Sequence, residues 1–246
     1  MARKPEAGSA ADPRRTIIEA LLALATEKSW SEFGLPEVAE KAGLTLGELR
    51  GHFPSRGAIL SAFVRQTDIA VLDGVDKEMA DEPARERLFD VLMQRLAVLK
   101  PHRAAVASVA EAFRHDPLAL AAWNKVMVGS MQWMLMAARI GAEGPAGALR
   151  AQGLALAWSQ IIKVWVKDED PGIARTMTEI DRQLRAGERW IERADDLFSV
   201  LRPFQKMAER ARERRSRLRE RLRDRFRDFT ESGRRRSEAG PDAEAM

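Results

Sequence analysis

The sequence contains no cysteine and no tyrosine, and it has only three histidines among its 246 residues. Without cysteine the chain can form no disulfide, no thiolate metal site and no cysteine nucleophile. No group of His, Asp and Ser residues has the spacing of a catalytic triad or of a metal site. We therefore expect a protein that is not an enzyme and that needs neither a metal nor another cofactor.

Long apolar runs are also missing. No run reaches the roughly 20 residues with which an α-helix spans a bilayer. Residues 1–12 lack the apolar core of a secretory signal, and we expect them to be a disordered lead-in. These absences predict a cytoplasmic location.

Charge is abundant but unevenly placed. Charged residues make up 32% of the chain, and the formal net charge is +4. Residues 205–246 hold 14 basic and 9 acidic residues, so the remainder, with 27 basic against 28 acidic, has a net charge of −1. The basic residues of the tail therefore account for the high isoelectric point of the chain. This isoelectric point gives no support to nucleic-acid binding by the rest of the chain.

The patterning throughout the chain is helical. Glycine and proline fall at the edges of apolar segments of helical period, and no stretch alternates with period two. The predicted fold class is all-α. The first four predicted helices cover about 13–29, 36–42, 45–52 and 56–72. Further starts are expected at Glu82-Pro83, Pro101, Asp116-Pro117 and Asp170-Pro171, with a glycine-rich break at 141–147.

Two short helices near the N-terminus form a helix-turn-helix pattern. Pro36 suits the first turn of one helix, and Gly43 suits a left-handed C-terminal cap. Thr45 and Glu48 have the spacing of a capping box at the start of the next helix. The expected buried residues of this unit are Val38, Ala39, Ala42, Leu44, Leu46 and Leu49.

The outer face of the second short helix carries Gly47, Glu48, Arg50, Gly51 and His52. A helix of this kind can lie in the major groove of DNA while nearby side chains hold phosphates. The alternative is a three-helix packing unit with no DNA contact. Residues 14–68 carry seven basic and seven acidic side chains, and this neutral balance is unfavourable for a domain whose DNA affinity rests on phosphate neutralisation.

Four segments of this N-terminal region match a known family: Ile17–Ala20, Trp30–Phe33, "VAEKAGLT" at 38–45 and "HFPSRGAIL" at 52–60. With them the region resembles the DNA-binding domain of the TetR family of bacterial regulators. The resemblance implies a homodimer that places two recognition helices over a palindromic operator. It also implies phosphate or base contacts for Thr45, Arg50, His52 and Arg56, although His52 could instead act as a cap or pack beside Phe53.

The second half of the chain is rich in methionine and tryptophan at helical spacing. Such stripes form either a core or the wall of an apolar ligand pocket. Ser130, Ser159, Gln160 and Lys163 would supply the few polar contacts of a pocket. We read His102 and His115 as surface or capping residues. The candidate ligand-binding residues are Trp123, Met127, Met131, Met134, Trp158, Ile162 and Trp165.

Two further segments of the second half are distinctive: "GSMQWMLMAARIG" at 129–141 and "WVKDEDPGIARTMTEIDRQL" at 165–184. Through them residues 88–200 resemble the C-terminal domain of the ninth coenzyme Q biosynthesis protein family. The resemblance implies a TetR-like fold that binds isoprenoid or other lipids and assists an enzyme of ubiquinone synthesis.

The tail contains a basic amphipathic helix, predicted over 201–231. Its apolar stripe could dock on the body or on a second subunit, and its arginines could bind an anionic membrane surface or nucleic acid. Membrane binding would place the protein at the inner face of the membrane. The tail residues that would make these contacts are Arg214, Arg217, Arg221, Leu222, Arg225 and Phe226.

Two functional hypotheses follow. The first is a TetR-like homodimeric transcription regulator with an apolar ligand pocket; the alternative is a lipid-binding auxiliary of ubiquinone biosynthesis that does not bind DNA. The dimer surface is expected in the last helices before residue 200. The predicted domains are the lead-in at 1–12, the helix-turn-helix domain at 13–72, the ligand and dimerisation domain at 81–200, the basic helix at 201–231 and a disordered end at 232–246.

Overall fold

The computed structural model describes residues 12–114 and 116–189, and within them every regular element is helical. The prediction of an all-α fold is confirmed. The helices are α1 (Pro13–Glu27), α2 (Leu35–Lys41), α3 (Leu46–His52), α4 (Arg56–Asp73), α5 (Ala84–Leu99), α6 (Arg103–Arg114), α7 (Pro117–Ala137), α8 (Gly144–Trp165) and α9 (174–189). Short 3₁₀ turns lie at Trp30–Glu32, Glu78–Asp81 and Lys100–His102.

Helix α1 forms the centre of the N-terminal unit, which we call the head (α1 to α3). The side chain of Asp12 accepts a hydrogen bond from the Arg14 backbone N–H at 3.0 Å and so caps the helix. Ile17 and Leu21 are fully buried, and α2 and α3 both pack on α1. Burying this stripe stabilises two helices of only seven residues each, which would not be stable alone.

The turn between α2 and α3 has the geometry that the sequence predicts. Gly43 has a φ of +69°, a left-handed conformation that glycine adopts without strain. Val38, Ala39 and Leu49 are buried as expected. Leu46 is an exception, because half of it is exposed at the first position of α3.

Helix α4 belongs to both halves of the described chain. It packs on α1 of the head. It also packs on α5 and α7 of the part of the chain that we call the body (α4 to α8). The body is completed by α7 against α8 and by α6, which packs on both α1 and α7. Since α4 follows α3 after three residues, a displacement of α4 within the body would be passed directly to the head.

One predicted helix start and one predicted break need correction. Asp170-Pro171 does not open a helix: the next helix begins at residue 174, and the Asp170 carboxylate accepts hydrogen bonds from the backbone N–H groups of Gly172 and Ala174 within a turn. The break predicted over 141–147 is shorter than expected, since α8 already begins at Gly144.

Three other predictions lie outside the described residues. They concern the lead-in, of which only Asp12 is described, His115, and the whole tail with the six tail residues named above. Among the residues that are described, no helix is long and apolar enough to cross a bilayer.

Candidate functional site

The first candidate surface is the outer face of α3. Gly47, Glu48, Arg50 and Gly51 are all exposed there, and His52 is partly exposed at the end of the helix. Arg50 makes no hydrogen bond or ion pair within the described residues. Its guanidinium is therefore available for an external partner.

Thr45 and Glu48 are engaged with each other at the start of α3. The Thr45 hydroxyl accepts from the Glu48 backbone N–H at 3.2 Å. The Glu48 carboxylate accepts from the Thr45 backbone N–H and hydroxyl, both at 2.8 Å. These bonds lower the pKa of Glu48, the backbone bond having the larger effect. The Glu48 carboxylate is thus held against the N-terminus of α3.

Arg56 is used inside the molecule. One guanidinium nitrogen, Nη1, donates to the carbonyl oxygens of Trp30 and Phe33, both at 2.5 Å. The guanidinium also lies 4.5 Å from the Trp30 ring centroid and 5.3 Å from that of Phe33. Partial burial lowers the pKa of Arg56. It joins the start of α4 to the loop after α1, a role that the sequence pattern did not reveal.

Arg14 makes a similar link that was not predicted. Its Nη1 donates to the backbone carbonyl of His52 at 3.1 Å, and its guanidinium lies 4.3 Å from the Phe53 ring centroid. A cation at the C-terminus of α3 complements the helix dipole there. This contact fixes the end of α3 relative to α1.

The second candidate site is an apolar cavity of about 900 Å³ in the body. Its lining comes from α1 and from each of α4 to α8. Phe63 and Val64 of α4 form part of the wall, and Val109 and Phe113 of α6 form another part. A cavity of this size is typical of a site for a small organic ligand.

The cavity brings together four of the seven candidate ligand-binding residues. Trp123, Met127, Trp158 and Ile162 line it. The other three, Met131, Met134 and Trp165, are instead core residues with 0–2% exposure. They occupy the helix faces that close α7 and α8 against neighbouring helices, and sequence spacing alone does not separate these faces from the cavity face.

The predicted polar contacts divide in the same way. Ser159 and Lys163 line the cavity, and Lys163 is exposed together with Lys167. Gln160 is not part of the wall. Ser130 is buried away from it and donates a 2.6 Å hydrogen bond to the Asp68 carboxylate.

The wall also contains a buried ion pair that was not anticipated. Arg95 of α5 is 1% exposed and lines the cavity. Its Nη1 donates to Asp68 Oδ1 of α4 at 2.5 Å, and its guanidinium lies 5.3 Å from the Trp158 ring centroid. Burial lowers the pKa of Arg95 and the Asp68 charge opposes that shift. A sequence signal existed, because Arg95 interrupts the apolar stripe Leu88, Leu92, Leu99 on one helix face.

Comparison of the fold with solved structures finds TetR-family regulators. A TetR transcriptional regulator from Rhodococcus sp. has 25% identity and a TM-score of 0.55, with 71% of this chain and 95% of that chain covered. A TetR regulator from Nitrosomonas europaea has 20% identity and a TM-score of 0.55, with 72% of this chain and 98% of that chain covered.

A third neighbour is a FadR repressor of the TetR family from Thermus thermophilus, solved in complex with lauroyl-CoA. It has 18% identity and a TM-score of 0.50, with 71% of this chain and 92% of that chain covered. No protein-family model and no curated protein matches the sequence. The chain has a TetR-like, all-helical fold with a helix-turn-helix at its N-terminus.

Proposed function

We propose that this protein is a homodimeric DNA-binding transcription regulator whose cavity binds an apolar small molecule. One observation carries the proposal. A capped helix-turn-helix with a free outer face is joined within three residues to α4, and α4 forms part of the cavity wall. DNA recognition and ligand sensing would thus share one element.

In this proposal α3 lies in the major groove. Arg50 is the principal base or phosphate contact, supported by His52 and by the close approach that Gly47 allows. Thr45 and Glu48 set the orientation of α3 through their capping box, and Arg56 acts as a positioning residue for the head. This division follows from which side chains already have internal partners.

The ligand would act through α4. Leu60, Phe63, Val64 and Thr67 of this helix all line the cavity. A molecule that fills the cavity changes the packing of α4 and thereby the placement of the head. The apolar wall and the lauroyl-CoA bound by the Thermus thermophilus neighbour both support a ligand with a long apolar chain.

A two-fold assembly is part of the same proposal, since one short recognition helix reads too few base pairs for a specific operator. The exposed apolar side chains of α7 are consistent with a protein interface. Trp133 is 52% exposed and Met136 is 41% exposed, one helical turn apart. Light scattering of the purified chain tests this part directly.

The experiment that tests DNA binding is a gel shift on the DNA upstream of the protein's own gene at two salt concentrations. Arg50→Ala is compared with Lys125→Ala, which removes an exposed cation from α7. We expect salt-sensitive binding by the wild type and the Lys125→Ala variant, and loss of at least about tenfold in affinity for Arg50→Ala.

The regulator proposal is contradicted if the wild type does not bind DNA, or if Arg50→Ala binds DNA as tightly as the wild type. Ligand binding by the cavity without DNA binding would favour the alternative, a lipid-binding auxiliary of ubiquinone biosynthesis.

A further inference from the structure

Arg95 has an unused hydrogen-bond donor inside the cavity wall. Both hydrogen bonds recorded for this side chain come from Nη1, which reaches Asp68 at 2.5 Å and the Met134 sulfur at 3.5 Å. The Nε–H is buried and has no acceptor. Buried donors in native proteins are nearly always paired, so a donor without a protein partner beside a cavity marks a position for an external acceptor.

No protein group is hydrogen-bonded to the Arg95 Nε–H. Asp68 is already shared by Arg95 and Ser130, both through Oδ1. Thr67 also lines the cavity, and its hydroxyl donates to the Phe63 backbone carbonyl within α4 at 3.1 Å. One face of the guanidinium is covered by Trp158. The apolar residues of the same cavity wall include Leu60, Val64 and Leu99.

The charge balance selects the kind of acceptor. Arg95 and Asp68 form a buried ion pair with no net charge, and their side-chain exposures are 2% and 10%. A ligand carboxylate at the Nε–H would add a second negative charge next to Asp68, and an uncompensated charge is costly to bury. An uncharged carbonyl oxygen satisfies the donor without this cost.

We infer that the ligand has a long apolar body with an uncharged carbonyl oxygen, and that this oxygen accepts a hydrogen bond from Arg95 Nε within the cavity. The inference rests on the proposed ligand-binding function and names the chemical class that the site selects. Because Asp68 lies on α4, the ligand would contact the same ion pair that holds α4 against α5.

The test uses N-phenyl-1-naphthylamine, an uncharged fluorescent probe, to report occupation of the cavity. Three molecules of equal chain length compete with it on the full chain at pH 8: 2-undecanone, undecane and undecanoate. The variant is Asp68→Asn/Arg95→Met, which removes both charges together and keeps an acceptor for Ser130. The matched control is Asp181→Asn/Arg185→Met, which removes an exposed ion pair of 2.9 Å on α9.

We expect the ketone to be favoured over the hydrocarbon in the wild type and in the control. This preference should fall at least about tenfold in the Asp68→Asn/Arg95→Met variant, because the charged donor is lost. Probe affinity should stay within about twofold in all three proteins. Undecanoate should bind the wild type more weakly than the ketone.

The inference is overturned if the ketone has no advantage in the wild type, or if its advantage survives in the Asp68→Asn/Arg95→Met variant. Tighter, Arg95-dependent binding of undecanoate would also overturn it in favour of a carboxylate ligand. Should the double variant fail to fold, the three competitors on the wild type still test the inference, because it requires the ketone to bind more tightly than both undecane and undecanoate. Absence of probe binding to the wild type would instead contradict the proposed ligand-binding function itself.

Discussion

At the scale of single residues, His102 connects protonation to the stability of the body. It lies in the 3₁₀ turn between α5 and α6, and its ring packs edge-on against Phe63, with 5.2 Å between centroids. Burial lowers the pKa of His102, and the charge of Glu19 only partly opposes this effect. The folded state therefore favours the neutral imidazole.

This lowered pKa gives a pH prediction. Between pH 7 and pH 5 the unfolded chain takes up a proton at this position before the folded chain does, so the free energy of unfolding should fall as pH decreases. The decrease should stop below the folded pKa, where both states are protonated. Urea unfolding at several pH values measures the slope.

The variant His102→Gln should have a shallower slope over the same pH range. The control is His52→Gln, which removes the partly exposed histidine at the end of α3. A wild-type slope that His102→Gln leaves unchanged would show that this ring does not cause the pH dependence.

Residue roles were the part of the site least accessible from the sequence. The pattern correctly placed Arg50 on the outer face of α3 and Thr45 at its cap, because both follow from local spacing. The family resemblance implied a DNA contact for Arg56, whereas its guanidinium donates to two backbone carbonyls of the loop after α1. Contacts between residues 23 and 26 positions apart depend on tertiary packing, which no local pattern contains.

At the scale of elements, α8 shows how a glycine can be required for close packing against the loop before a helix. An added Cβ at Gly147 would lie 2.1 Å from the carbonyl carbon of Ala142 and 2.3 Å from its oxygen. The glycine-rich sequence here predicted a break in helical structure. The structure uses Gly147 within α8 so that the preceding loop can pass close to the helix.

We therefore expect Gly147→Ala to lower the free energy of unfolding by about 2–4 kcal/mol, because the backbone of Ala142 must move. Gly153→Ala is the matched control in the same helix. It is exposed with no atom near the added methyl group, so it should be neutral or stabilising by up to about 1 kcal/mol.

Urea unfolding of both variants measures the difference. Equal effects of the two substitutions would mean that helix propensity, and not the close approach to Ala142, governs this position.

Most helices could be predicted from sequence because caps and periodicity are local. Asp116-Pro117 located the start of α7 within one residue, and the range predicted for α1 begins at the observed first residue, Pro13. Asp170-Pro171 has the same local pattern but gives a turn. Nearby, the Asp168 carboxylate accepts from both the backbone N–H and the hydroxyl of Thr176 inside α9, at 2.9 Å and 2.7 Å. That non-local cap moves the helix start downstream.

At the scale of the whole molecule, α4 is the element that the head and the cavity share. The head fixes its start through Arg56, and the cavity and the Arg95–Asp68 ion pair hold its second half. A ligand that changes the second half should change DNA affinity, and thermodynamic linkage requires DNA to change ligand affinity by the same factor.

The most direct measurement is this reciprocal coupling on the full chain. DNA affinity is measured with and without saturating 2-undecanone, and ketone affinity with and without saturating DNA. We predict that both affinities change by one common factor of at least about fivefold. If DNA and the ketone both bind but neither affinity changes, α4 does not couple the two sites, and the account of this protein as a ligand-responsive regulator is contradicted.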